Sequence, residues 1–271
     1  MLDQPHITMQ RAKGRGHLRF DHVDGRDRLQ DLHQSGCLKL MIPRNHAPVP
    51  DAVMINTAGG LTGDDHLEMS VELGAGASLR LATQTAERIY QSTGEAAHVA
   101  LNFELGAGAQ FDWLAQETIL FNGGAVQRRL TVDMADDASL LLVEPIVLGR
   151  HAMGEVVETG LIHDQWRVRR GGELIFADAM RMQDFDALQA PAALGDSRAV
   201  ASVLFVDPSA EAMRDRILAL PQDTALKIGA SAWNDQLLIR VLSNDGMALR
   251  KSLKEIVKTL RGRDLPRVWT M

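Results

Sequence analysis

The 271-residue sequence predicts a mainly β protein of stacked units, and three observations carry the prediction. The first is a near-repeat: Glu72-Leu73-Gly74-Ala75-Gly76-Ala77-Ser78-Leu79, then Glu104-Leu105-Gly106-Ala107-Gly108-Ala109-Gln110-Phe111, then Asp133-Met134-Ala135-Asp136-Asp137-Ala138-Ser139-Leu140, at offsets of 32 and 29 residues. A recurrence near 30 with small turn residues inside each copy suggests units that bury one another's apolar faces. The second is alternation: Val99, Leu101, Phe103 and Leu105 interleave with His98, Ala100, Asn102 and Glu104. That period of two places one strand face on a core and the other towards water. The third is the recurrence of glycine turns between such runs.

Taken in order, each copy of the repeat reads as strand, tight turn, strand. Asn122-Gly123-Gly124 after Ile119-Leu120-Phe121 reads as a hairpin turn, as does Gly171-Gly172 between Trp166-Arg167-Val168 and Leu174-Ile175-Phe176. Asp184, Pro191, Gly195 and Asp196 mark 183–198 as a surface loop or joint. A short helix is predicted over 208–220, with Asp207 as cap, Pro208 in its first position and Pro221 as stop. Residues 225–232 and 236–242 flank Trp233-Asn234-Asp235 as a strand pair. A second helix is predicted over 245–261, where Leu249, Leu253, Ile256, Val257 and Leu260 form one apolar stripe and Gly262 supplies the stop. All-β units run to roughly 250 residues, so a single domain spanning 1–271 is expected.

Composition narrows the function. With 45% hydrophobic and 24% charged residues the chain is neither disordered nor collagenous. A net charge of −6 disfavours nucleic-acid binding. No uncharged apolar run reaches the roughly 20 residues a bilayer needs, and residues 1–6 lack the apolar core of a signal peptide; the expectation is a cytoplasmic protein without a membrane partner. The lone Cys37 permits no internal disulfide and no CxxC metal knuckle. The acidic body ends in a basic tail, with Arg250, Lys251, Lys254, Lys258, Arg261, Arg263 and Arg267 against Glu255 and Asp264. Lys251, Lys254, Lys258 and Arg261 recur at helical spacing, either as a solvated face or as a dock for an acidic protein partner.

Three motifs hold candidate chemistry. Asn56-Thr57-Ala58-Gly59-Gly60-Leu61-Thr62-Gly63-Asp64-Asp65 is the densest. Its glycines Gly59, Gly60 and Gly63 read first as a tight structural turn, with an anion cradle as the alternative that needs the same glycines. Asp64-Asp65 stands where a phosphate loop carries Gly-Lys-Ser/Thr, and would repel a nucleotide. Asp64, Asp65, His66 and Glu68 include metal-ligand types, but neighbours on an extended segment point to opposite faces, so all four cannot converge. In the second motif, Glu144, Gly149, Arg150, Gly154 and Glu155 surround an apolar run, which reads most simply as one ion network of Glu144, Arg150 and Glu155. Paired acids of an enzyme are the other reading. In the third, Glu117 lies within Gln116-Glu117-Thr118-Ile119-Leu120-Phe121 as an exposed edge carboxylate or as the wall of a polar channel. No Gly-x-Ser-x-Gly, His-Glu-x-x-His or catalytic Cys setting occurs, and the nine histidines are scattered singly.

The Asn56–Asp65 run, Thr83-Gln84-Thr85-Ala86 with Tyr90, Gln116-Glu117-Thr118-Ile119-Leu120-Phe121, Gly149-Arg150-His151-Ala152-Met153-Gly154-Glu155 and Leu265-Pro266-Arg267-Val268-Trp269 together resemble, in order, the urease accessory protein family UreD, also called UreH. The resemblance covers nearly the whole chain. Two positions depart from the family pattern: Asp64 in Gly63-Asp64-Asp65, and Ala115 in Leu114-Ala115-Gln116-Glu117. The resemblance implies stacked sheets in a solenoid-like, β-helical arrangement with two short α-helices near the C-terminus. It implies no catalysis and no tightly bound cofactor. It also implies a scaffold that joins UreF and the GTPase UreG to apo-urease (UreABC), with UreE involved only indirectly, and helps deliver Ni²⁺ through a polar interior. Ni²⁺ is then a transient cargo. A conduit must hold it loosely, which suits scattered carboxylates, and Asp65, Glu117, Glu144 and Glu155 are the candidates, with Asp64 behind them.

Overall fold

A computed structural model describes residues 10–44, 47–221 and 223–270. The signal-peptide reading at residues 1–6, and His6 and His46, lie outside these. The strands, in order, are β1 (Lys13–Val23), β2 (Arg26–Gly36), β3 (Leu38–Met41), β4 (Asp51–Asn56), β5 (His66–Leu73), β6 (Ser78–Thr83), β7 (Glu87–Ile89), β8 (Ala97–Leu105), β9 (Gln110–Leu114), β10 (Thr118–Leu120), β11 (Ala125–Met134), β12 (Ser139–Leu148), β13 (Leu161–Arg170), β14 (Glu173–Met182), β15 (Ala199–Val206), β16 (Leu226–Trp233) and β17 (Gln236–Ser243). Helices α1 (Phe185–Leu188), α2 (Ala210–Leu218) and α3 (Gly246–Arg261) complete the chain.

Parallel coils stack into a β-solenoid of about 4 turns. One sheet has the order β14-β13-β11-β8-β5-β1-β2, and the other β16-β17-β15-β12-β9-β6-β4-β3. The sequence offsets are the strand registers themselves: Glu72 pairs with Glu104, and Glu104 with Asp133. Within each copy the short turn, Gly-Ala-Gly-Ala in the first two and Ala-Asp-Asp-Ala in the third, is a corner that carries the chain from the first sheet to the second. A short third face follows, where β7, β10 and the end of β12 run parallel and Leu61 bridges Ile89.

Alternation decides which side chains enter. On β5, β8, β11 and β13 one set (Met69, Val71, Leu101, Phe103, Leu130, Val132, Trp166, Val168) packs between the sheets with Phe111, Trp113 and Leu140. The outer face of the second sheet is covered by α2, α3 and Trp269, which bury Val203, Phe205, Ile239 and the whole predicted stripe Leu249, Leu253, Ile256, Val257 and Leu260. α3 begins on Asp245, whose carboxylate accepts the Met247 N–H at 2.9 Å, and ends on Gly262 at φ 61°.

Four expectations are corrected. Asn122-Gly123-Gly124 is no hairpin: β10 pairs in parallel with β7 and β12, while β11 departs into the first sheet. A turn between sheets and a turn within one need the same glycines, so local sequence cannot separate them. Asp207 does not cap α2; its Oδ1 accepts the N–H and O–H of Ser209, bracing the turn, and Ser209 holds the cap position. Pro208 accordingly precedes the helix. The 183–198 loop contains the single turn α1, capped by Asp184 and anchored by buried Phe185. The Gly171-Gly172 hairpin and the β16–β17 pair are present, the latter turning on Asn234 and Asp235 at φ 47° and 61°, the signs a type I′ turn demands.

Candidate functional site

The alternation that places Val126, Leu130 and Val132 inside forces Arg128 inside as well. A guanidinium in a dry interior must be paired. Its Nη1 lies 2.5 Å from Glu144 Oε2 on β12, and its Nε and Nη2 donate to both oxygens of Asp164 on β13 at 3.0 and 2.7 Å. Trp113 Nε1 donates to Glu144 at 2.7 Å and Trp166 Nε1 to Asp164 at 3.2 Å. Burial opposes the Arg128 charge, but Asp164 and Glu144 outweigh it and raise its pKa. Burial pushes the Glu144 carboxyl up, against the pull of the same guanidinium. Two carboxylates therefore share one cation between the sheets.

Beside this cluster lies an interior cavity of about 50 Å³, with Thr83, Glu87, Gln116, Thr118, Arg128, His163 and Asp164 as its polar lining. That is room for about three waters. Glu87 shares a third-face row with Thr118 and Ile146. Asn56 Nδ2 donates to both Glu87 oxygens at 3.1 and 3.2 Å, yet burial pushes this carboxyl up to about 7. Glu87 escaped the sequence reading because Thr85-Ala86-Glu87-Arg88 looks like polar surface. The available signal was Ile89 two positions on, an apolar residue of the same alternation.

The candidate acids are not brought together. Asp65 is buried and accepts from the backbone, Ala12 N at 2.7 Å and Thr62 N at 2.8 Å, tying the glycine-rich loop to the start of β1. Asp64 is left-handed at φ 63° and about half exposed, 3.9 Å from Arg11. Glu117 is neither an exposed edge nor in a strand: it sits in the bend between β9 and β10 and accepts from Arg250 Nη1 at 3.0 and 3.1 Å. Arg250 also donates to Gln116 and lies over the Trp269 ring. The single network expected of Glu144, Arg150 and Glu155 is two. Glu144 faces inward on β12, whereas Glu155 lies past the corner and takes a bidentate bond from Arg150 at 2.8 and 3.1 Å. Arg150 holds the Glu155 carboxyl down to about 2 and rests over Phe121.

Of the motif glycines, Gly60, Gly63 and Gly149 are packed too closely for a side chain, whereas Gly59 and Gly154 face open space and are held by their left-handed φ of 78° and 66°. A Cβ on Gly63 would meet Ser92 Oγ at 2.2 Å, and one on Gly149, at φ 77°, would meet Glu155 O at 2.7 Å. On α3, Lys251 and Lys258 are exposed and Lys254 partly so, but Arg261 turns inward to Asp112 at 2.7 Å and lies over Phe205. The exposed basic face is therefore lysine only. Among the described residues no group of three or more His, Cys, Asp or Glu side chains is placed to hold a metal ion, and no helix is long and apolar enough to cross a membrane.

A family model described as UreD urease accessory protein matches residues 12–270. Urease accessory protein UreD of Rhizobium etli is 46% identical over 97% of this chain and 96% of its own length. The protein of the same name from Rhizobium leguminosarum bv. viciae is 44% identical over the same shares, and that from Agrobacterium fabrum 38% identical over 99% and 94%. A match across nearly all the chain, with relatives 38–46% identical over almost their full lengths, makes this chain a member of the UreD family of urease accessory proteins.

Proposed function

We propose that this chain serves urease maturation in the cytoplasm as a non-catalytic scaffold, joining UreF and UreG to apo-urease and passing Ni²⁺ through its interior. The observation that carries the reading is a polar cluster inside an otherwise apolar solenoid: Glu87, Thr118 and Asp164 line a small cavity, and Glu144 pairs with Arg128, another of its lining residues. Oxygen ligands hold a borderline ion loosely, and a transported ion must leave again. Glu144 and Glu87 are the interior acids of this proposal. Asp65 braces the loop before β5, Glu117 the bend before β10, and Glu155 the outer corner. Lys251, Lys254 and Lys258 offer a basic face to an acidic partner.

In a second reading the chain only holds apo-urease in a form open to metal, and nickel never enters it. That reading is favoured by the engagement of every candidate acid, each already paired or hydrogen-bonded. Alanine variants at Asp65, Glu117, Glu144 and Glu155 separate the two. Capture of apo-urease with failed activation supports the passage. Full nickel loading by the Glu144 variant refutes it.

A further inference from the structure

We propose that His66 and His98 form an exchangeable surface site for a divalent transition-metal ion. Although scattered in sequence, histidines align in space: the register sets His66, His98, Gln127 and His163 side by side on β5, β8, β11 and β13. All four belong to the outward set, because Leu67, Val99, Val126 and Ile162 beside them pack inward. The His66 and His98 rings face each other with centroids 4.9 Å apart, about one strand spacing.

The His66 ring is oriented for metal binding. Its Nδ1 lies 2.8 Å from the carbonyl oxygen of Asp64. A carbonyl can only accept, so Nδ1 carries the proton, and in the neutral ring Nε2 presents its lone pair. A backbone carbonyl on the far nitrogen is the usual support of a metal-binding histidine. Asp64 aims that carbonyl from a left-handed conformation rare for a residue with a side chain, at φ 63°. Two imidazoles suit nickel, copper or zinc, and with water filling the remaining positions the ion stays exchangeable.

The pair lines an outer groove of about 420 Å³ with Gln127, His163, Lys13 and Arg129. The two cations oppose a metal ion and keep affinity modest, while Arg15 is neutralised by Glu68 at 3.0 Å. Leu67, Val99, Arg128 and His163 line both this groove and the interior cavity, so the site sits on the outer side of the cavity wall. It stands whether or not the interior carries an ion.

Ni²⁺ and Zn²⁺ titrations of the purified full chain, read by calorimetry, test it. The H66Q/H98Q double variant should bind about tenfold or more weakly, with its thermal midpoint unchanged because both rings are outside the core, and H151Q should bind as the unsubstituted chain does. Bound Ni²⁺ should also shield His66 and His98 of the unsubstituted chain from diethylpyrocarbonate, read by mass spectrometry. Undiminished binding by the double variant, equal loss in H151Q, or modification of both histidines at saturating Ni²⁺ would overturn the proposal. So would inorganic phosphate binding more tightly than either metal, which would make the groove an anion site.

Discussion

The two main sheets come from the same coils, yet their outer faces differ. That of the first sheet meets water, so β13 alternates between buried and half-buried positions from Leu161 to Val168. That of the second is roofed by α2, α3 and Trp269, and β15 is buried along its whole length, Ala199–Val206. Coverage on both faces turns a strand's sequence from alternating into continuously apolar. It also changes what a charge does. Arg15 and Glu68 pair in solvent on the open face, whereas Arg80, itself paired with Asp51, donates to the Asp264 carbonyl, and with the Arg261–Asp112 and Arg250–Glu117 pairs holds the C-terminal segment against the roofed one.

Stability measurements can break this contrast. The largest effect belongs between the sheets: Arg128→Met leaves Glu144 and Asp164 buried without their cation and should cost about 3–5 kcal/mol in urea denaturation. A loss below about 1 kcal/mol would mean that water reaches the cluster. On the roofed face, Leu253→Ala should cost about 3 kcal/mol as the helix contact opens a cavity. The next effect depends on pH. Because the folded-state pKa of Glu87 is raised to about 7, the folded protein holds a proton that the unfolded chain releases near its ordinary carboxylate value. Stability therefore falls as pH rises from the ordinary value through 7, and the full penalty is present above. Glu87→Gln should flatten that fall and raise stability at pH 8 by roughly 1–3 kcal/mol. No change in the slope of the melting midpoint against pH would contradict the burial of this carboxylate. The smallest effect is on the open face: Arg15→Ala should cost less than about 1 kcal/mol, and less still in high salt. A loss as large as that of Arg128→Met would erase the contrast.

The same contrast governs what could be read from sequence. The coils were legible because their 32- and 29-residue offsets recur within the chain and because the open face keeps a period of two. The apolar stripe and terminal glycine of α3 were equally local. Partners distant in sequence were not legible. Glu144 sits near Arg150 in the chain but pairs across the core with Arg128 on the preceding strand of its own coil and, through Arg128, with Asp164 of the next coil, and the depth of Glu87 is marked only by its alternation with Ile89. The glycine corner at 122–124 read as a hairpin because backbone freedom shows that the chain turns, not towards which sheet. The histidines looked single for the same reason: strand register alone brings His66 to His98.

Nickel content of urease tests the account most directly. The structural subunits would be co-expressed with the other accessory proteins and this chain as wild type, as the Glu87→Gln/Glu144→Gln double variant, or without it. The account predicts nickel-loaded urease with the wild type, little nickel without the chain, and reduced loading with the double variant although that variant still captures apo-urease. Full loading without the chain would contradict its role in maturation, and full loading with the double variant would contradict passage through its interior.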